Sequence, residues 1–191
     1  MNPQDVLNFW FAPEQEPLWF KKSDDFDTKI HRQFAEVHHQ ATQAELWSWR
    51  QDAEGRLAEI IVLDQFSRNL YRDQAQAFAH DAMALALAQE AISLQLDAEL
   101  SPPQRSFLYM PFMHSESKLI HEFALKLFQR LGNPVNLDFE KKHKAIIDRF
   151  GRYPHRNDVL GRESTAEERE FLTQPNSCLL YTSPSPRDVR S

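Results

Sequence analysis

The chain has 191 residues, with 22 basic against 28 acidic side chains, a net charge of −6 and 41% apolar residues. That balance excludes a disordered polyampholyte and a general binder of phosphate backbones, so no nucleic-acid partner is expected. A single cysteine excludes an internal disulfide framework and a multi-cysteine zinc site. No apolar stretch approaches the roughly 20 residues of a spanning helix, so no membrane partner is expected either. Met1 to Asp5 lacks the basic start and apolar run of a signal peptide, which points to a cytoplasmic location.

In chain order the sequence is a succession of helix signals. Asn2 and Pro3 form a cap and first-turn proline, and Ala12-Pro13 closes that short helix. Ser23-Asp24-Asp25 opens a second helix with carboxylates at the positive end of its dipole. Its apolar residues Phe26, Ile30, Phe34, Val37 and Ala41 share one face. A third helix is expected from about Arg56 to Tyr71, and an alanine-rich fourth from about Asp81 to Leu96. Ser101-Pro102-Pro103-Gln104 is a capping box that opens a fifth, which Pro111 should kink or interrupt. Ser117 to Leu131 carries the cleanest stripe: Ile120, Phe123, Ala124, Leu127, Phe128 and Leu131. Gly132-Asn133-Pro134 stops it. Phe139, Ile146, Ile147 and Phe150 mark a further helix ended by Gly151, and Ser164-Thr165-Ala166-Glu167 caps a last one. About eight helices with short connections predict an all-α single domain, residues 1–177, without visible 34-residue repeats.

Cys178 to Ser191 has neither helical nor strand periodicity. Cys178 to Asp188 resembles the in-frame translation of a transposon-end sequencing adapter. Residues 178–191 are therefore expected to be a non-native, disordered tail.

Several polar side chains stand where apolar ones are expected. On the third helix, Asp64, Arg68 and Arg72 continue the stripe of Leu57, Ile60 and Ile61 at spacings of four, and so should share a face. Ions on an apolar stripe are costly unless paired. Two readings fit: an Asp64–Arg68 pair at the floor of a pocket with Arg72 open to a ligand, or a structural ion pair. His114-Ser115-Glu116 comes directly after the Phe107–Met113 segment. His114 and Glu116 could be a base and its orienter, or with Asp64 the nitrogen and oxygen ligands of a metal, although the spacing matches no recognised zinc motif. They could equally cap backbone groups freed by Pro111.

The segment Phe150-Gly151-Arg152-Tyr153-Pro154-His155-Arg156-Asn157, with Leu160-Gly161-Arg162, gathers three arginines, a histidine and an asparagine between two helices. Arginine forks bind carboxylate or phosphate, so the loop reads as anion recognition; alternatively these arginines pair with Asp64, Glu116 and other acids to tie the loop down. Four glycines in the whole chain leave no glycine-rich phosphate loop. Trp10, Phe11, Trp19, Phe20, Trp47 and Trp49 read as core or interface aromatics.

Together these segments resemble the bacterial domain of unknown function 924 family. The resemblance rests on Val6 to Phe11, Trp19 to Lys22, Leu63-Asp64-Gln65-Phe66-Ser67-Arg68-Asn69-Leu70, Phe107 to Phe112 with His114-Ser115-Glu116, and Phe150 to Thr165. Ser117 to Glu122 departs from the acidic or glutamine-containing stretch usual there. The resemblance implies a tetratricopeptide-like all-helical fold. It further implies that Asp64, Gln65, Arg68, Asn69, His114, Glu116, Arg152, His155, Arg156, Asn157 and Arg162 belong to the family's motifs, and it brings no established activity.

The sequence therefore predicts a polar pocket binding a small phosphate- or carboxylate-bearing molecule. The candidate catalytic groups are His155, His114 and Asp64. The candidate ligand-holding residues are Arg68, Asn69, Arg72, Arg152, Arg156, Asn157 and Arg162. No cofactor is named by any motif. The competing expectation is a helical protein–protein interaction module in which the Arg/His cluster is structural.

Overall fold

The computed structural model describes residues 1–175 and Ser177; the tail expected over 178–191 lies outside the described residues. Those residues form helices joined by turns, with no strand among them. The α-helices are α1 (Pro3–Trp10), α2 (Asp24–Thr42), α3 (Ala53–Ile61), α4 (Ser67–Leu70), α5 (Asp81–Ser93), α6 (Pro102–His114), α7 (Lys118–Leu131), α8 (Pro134–Phe150) and α9 (Ala166–Leu172). Short 3₁₀ turns fill several connections, among them Ala75–Ala77 and Pro154–Arg156.

Local chemistry accounts for the helix starts. The side chains of Asn2, Ser23, Ser101, Ser117, Asn133 and Thr165 each accept a backbone N–H of the first turn. Each satisfies a donor that the helix itself cannot. Asp52 does the same for α3, which therefore begins earlier than expected. Gly55 is required there, because a Cβ would run into the Trp49 carbonyl oxygen.

The centre of the molecule is α6. Every residue from Ser106 to His114 is buried, as befits a helix that is apolar nearly all round and surrounded by α3, α5, α7 and α8. Alanines 84, 88 and 91 let α5 come close to α3 and α6. Phe107 of α6 receives Trp10 and Trp19 edge-on, with ring centroids 5.5 and 4.8 Å away. This aromatic knot fastens the N-terminal segment to the core; Trp47, 71% exposed, is not part of it.

Two expectations change. Pro111 does not interrupt its helix: α6 continues through it to His114, since a proline in the last turn removes only one hydrogen bond. The third expected helix is real but holds a π-helical segment, Val62–Phe66, between α3 and α4. The apolar stripe of α7 is also only partly covered, with Phe123 49% exposed. No helix among the described residues is long and apolar enough to cross a membrane.

Candidate functional site

The π segment interrupts the regular α ladder just where the chain turns from apolar to polar. Such insertions re-aim side chains and recur at functional positions. Here the segment carries Asp64 into the interior at 1% exposure, against the C-terminal end of α6. His114 donates from Nδ1 to Asp64 Oδ1 at 2.7 Å, and Arg68 approaches the same oxygen at 3.3 Å. Burial pushes the Asp64 carboxyl upward, but His114, Arg68 and Arg156 outweigh it and hold it below the usual carboxylate range. Burial lowers His114 more than Asp64 raises it, so its ring is neutral. An ionised carboxylate only accepts, which places the His114 proton on Nδ1 and the lone pair on Nε2.

His114 lines a cavity of about 490 Å³ between the start of α5, the end of α6 and the loop after α8. Its polar wall is Asp81, His114, Ser115, Glu116 and Arg156; its apolar wall includes Phe78, Ala79, Ala82, Leu85, Pro111 and Leu160. Arg156, 3% exposed, has its guanidinium carbon over the rings of Phe78 and Tyr153, 4.4 and 4.6 Å from their centroids. It donates to the His114 carbonyl at 3.1 Å and comes within 3.7 Å of Asp81. Cation–π contact with two rings fixes a guanidinium that would otherwise be mobile.

Side chains satisfy the carbonyls at the end of α6. The Tyr153 hydroxyl donates to the Met113 carbonyl, Arg156 to that of His114, and His121 Nε2 to that of Ser115. His121 and Glu140, both fully buried, form a further pair at 2.9 Å behind Tyr153. Burial raises the Glu140 carboxyl despite His121.

The other expected site residues lie elsewhere. Arg68 grips Asp81 through two nitrogens at 2.5 and 2.9 Å and also donates to the Ala77 carbonyl, so it ties the π segment to the start of α5. Arg72 does not share its face. The helix ends at Leu70, and Arg72 and Asn69 both turn to Asp27 on α2. Arg152 clasps Glu168 with two nitrogens, and Asn157 joins Ser164 and Glu168. Arg162 clasps Glu116, which also accepts the Tyr153 N–H. Asp64, not Glu116, is thus the orienter of His114. His155 does not line the cavity; burial, and then Arg156, push its ring down to about 3. Among the described residues no group of three His, Cys, Asp or Glu side chains is placed to hold a metal ion.

Asp81 and Phe78 were not singled out in the sequence. Asp81 reads there as an ordinary acidic helix start, and its pairing with Arg68, 13 residues earlier, carries no local signal. A second cavity of about 770 Å³ lies between α5 and α7, with Ile92, Phe112, Ile120, Phe123 and Leu127 beside Lys126 and Arg130.

Comparison with known proteins supplies relatives without an activity. No functionally curated protein matches the chain. A solved structure described as a protein of unknown function, ATU0120, from Agrobacterium tumefaciens is similar at 39% identity and a TM-score of 0.83, over 89% of this chain and 96% of that one. The family profile described as "Bacterial protein of unknown function (DUF924)" matches residues 6–176. With its all-helical fold and this match over nearly its whole described length, the chain belongs to the DUF924 family.

Proposed function

We propose that the protein binds a small anion-bearing molecule in the cavity between α5, α6 and the 154–160 loop. In this reading Arg156 holds the anion, and His114, oriented by Asp64, accepts or returns a proton at Nε2. One observation carries it: His114, held by the buried Asp64, lines the same cavity as the Arg156 guanidinium, which two aromatic rings hold in place. A carboxylate behind a neutral histidine sets its tautomer and stabilises the charge it gains on protonation. The cavity volume falls within the range of small-molecule sites.

A thermal-shift screen of the full chain against organic acids and phosphorylated compounds tests the reading. A ligand at a hundred times its Kd stabilises by about 2.7 kcal/mol, a rise of roughly 5–10 °C for a domain of this size. Arg156→Lys, which keeps the charge but loses the fork, should remove most of the shift. No response to any carboxylate or phosphate would overturn the reading.

The second reading, a protein-docking module, draws on the apolar groove between α5 and α7 and on the exposure of Leu119 (65%) and Phe123 beside it. Concentration-dependent self-association or capture of a partner that Phe123→Ser abolishes, without any small-molecule response, would favour it.

A further inference from the structure

We infer that the ligand of this cavity is a monocarboxylate with a hydrocarbon body, a short- to medium-chain acid rather than a phosphorylated or peptidic compound. The inference rests on the anion-site reading above and adds the chemical class. Two features of the cavity carry it, one for the head group and one for the body.

The head group is set by charge. Arg156 is the cation on the cavity wall, and Asp81 stands 3.7 Å from it, with Glu116 on the same wall. A planar carboxylate with one negative charge matches one guanidinium fork. A phosphate monoester brings a second charge, and among the described residues the cavity wall offers no second arginine or lysine to meet it.

The body is set by hydrogen-bonding capacity. Phe78, Ala79, Ala82, Leu85, Pro111 and Leu160 face the cavity, and none of these side chains offers an N–H, O–H or oxygen. A peptide laid along that wall would lose water from an amide at every residue and find no side-chain partner there. A sugar or nucleoside would lose several hydroxyl contacts in the same way. Methylene groups lose nothing and gain from leaving water. The polar groups stay grouped around Arg156, which contacts both Asp81 and the His114 backbone. The cavity is therefore amphipathic in the same sense as the ligand proposed for it.

The test is a homologous series. Straight-chain carboxylates from acetate to decanoate are titrated into the full-length protein, with ligand-observed NMR for the weak short members and calorimetry for the longer ones. Hexanol, hexylamine and hexyl phosphate serve as head-group controls. Affinity should rise about fourfold per methylene until the apolar wall is covered. Hexanoate should exceed all three controls, and Arg156→Lys should weaken every carboxylate by a similar factor. Ala82 is solvent-exposed on α5, so Ala82→Glu leaves the core untouched while placing a charge in the wall; it should flatten the gain with chain length.

Arg156-dependent binding of acetate with no gain along the series would overturn the hydrocarbon body while leaving the anion site standing. Hexyl phosphate binding more tightly than hexanoate would overturn the head group. Equal binding of hexylamine or hexanol would overturn the role of charge. If neither carboxylates nor phosphates bind in an Arg156-dependent way, the underlying anion-site reading fails with it.

Discussion

Two regions of this molecule use the same residue types to opposite ends. In the loop from Arg152 to Glu168, two arginines are each clasped through two nitrogens by one glutamate: Arg152 by Glu168 and Arg162 by Glu116. Those arginine side chains remain 28% and 25% exposed. Around the cavity, Arg68 and Arg156 are 5% and 3% exposed and share Asp81, while Asp64 serves both Arg68 and His114. In the loop, each of the two arginines has one carboxylate partner of its own. The cavity is bordered by a shared network, in which charges are fewer than the contacts they support, and Asp81, His114 and Arg156 of that network line the open space. An arginine cluster in a sequence does not distinguish these cases; the pairing does.

The largest expected effect breaks the shared network. Asp64→Ala leaves Arg68 and His114 without their common buried partner and should cost about 3–5 kcal/mol in denaturant unfolding. A loss under 1 kcal/mol would show that Asp64 is not the hub of the site. In the loop, Arg152→Ala removes the clasp on Glu168, and neither residue lines the cavity. A lower melting temperature is expected, with no change in ligand response in the thermal-shift assay. If instead ligand binding disappears in Arg152→Ala, the division between tie and site is wrong.

Acid separates the regions further. Burial first, with neighbouring Arg156 for His155 and His80 for His38, holds His155 and His143 near 3 and His38 near 4, and lowers His114. Their ordinary value is 6.5, so between 6.5 and these values the unfolded chain binds the protons, and stability falls as pH falls. Glu168 sits at about 2, held there first by its hydrogen bonds to Arg152, against an ordinary 4.5. Its contribution is present above 4.5 and lost as pH falls toward 2. Melting temperature should therefore be flat above about pH 7 and decline in two stages, histidines first. His155→Gln should shrink the upper stage, to which His143, His38 and His114 also contribute, and Glu168→Gln only the lower. A profile unchanged by either variant would contradict the assignment.

The smallest effect is expected at Asn69, whose single hydrogen bond to Asp27 duplicates what Arg72 provides. Asn69→Ala should cost about 0.5–1.5 kcal/mol and leave ligand binding intact.

The helices were legible because their signals are local. Asn2, Ser23, Ser101 and Thr165 cap within three residues, and the stripe from Phe26 to Ala41 is buried as its spacing requires. The pairing of Asp64 with Arg68 was also readable, being one turn apart on the same helical stretch. The shared face with Arg72 was not, because the helix ends at Leu70 and the π segment shifts the helical phase of the residues after it. Nor was it readable that Asp64 would meet His114 across 50 residues, or which of the loop arginines would be the one to meet Glu116, although pairing with Glu116 was one of the two readings. Charge and residue type say that a buried ion needs a partner, and several candidates of each sign were available. The choice among them is made where α3, α5, α6 and the 150–168 loop pack together, since Coulomb attraction and hydrogen bonding discriminate only at contact distance. The sequence by itself determined the helices, the core and the family. Which arginines became ties, and which one faces a cavity, was decided only by the packing that brought their partners within reach.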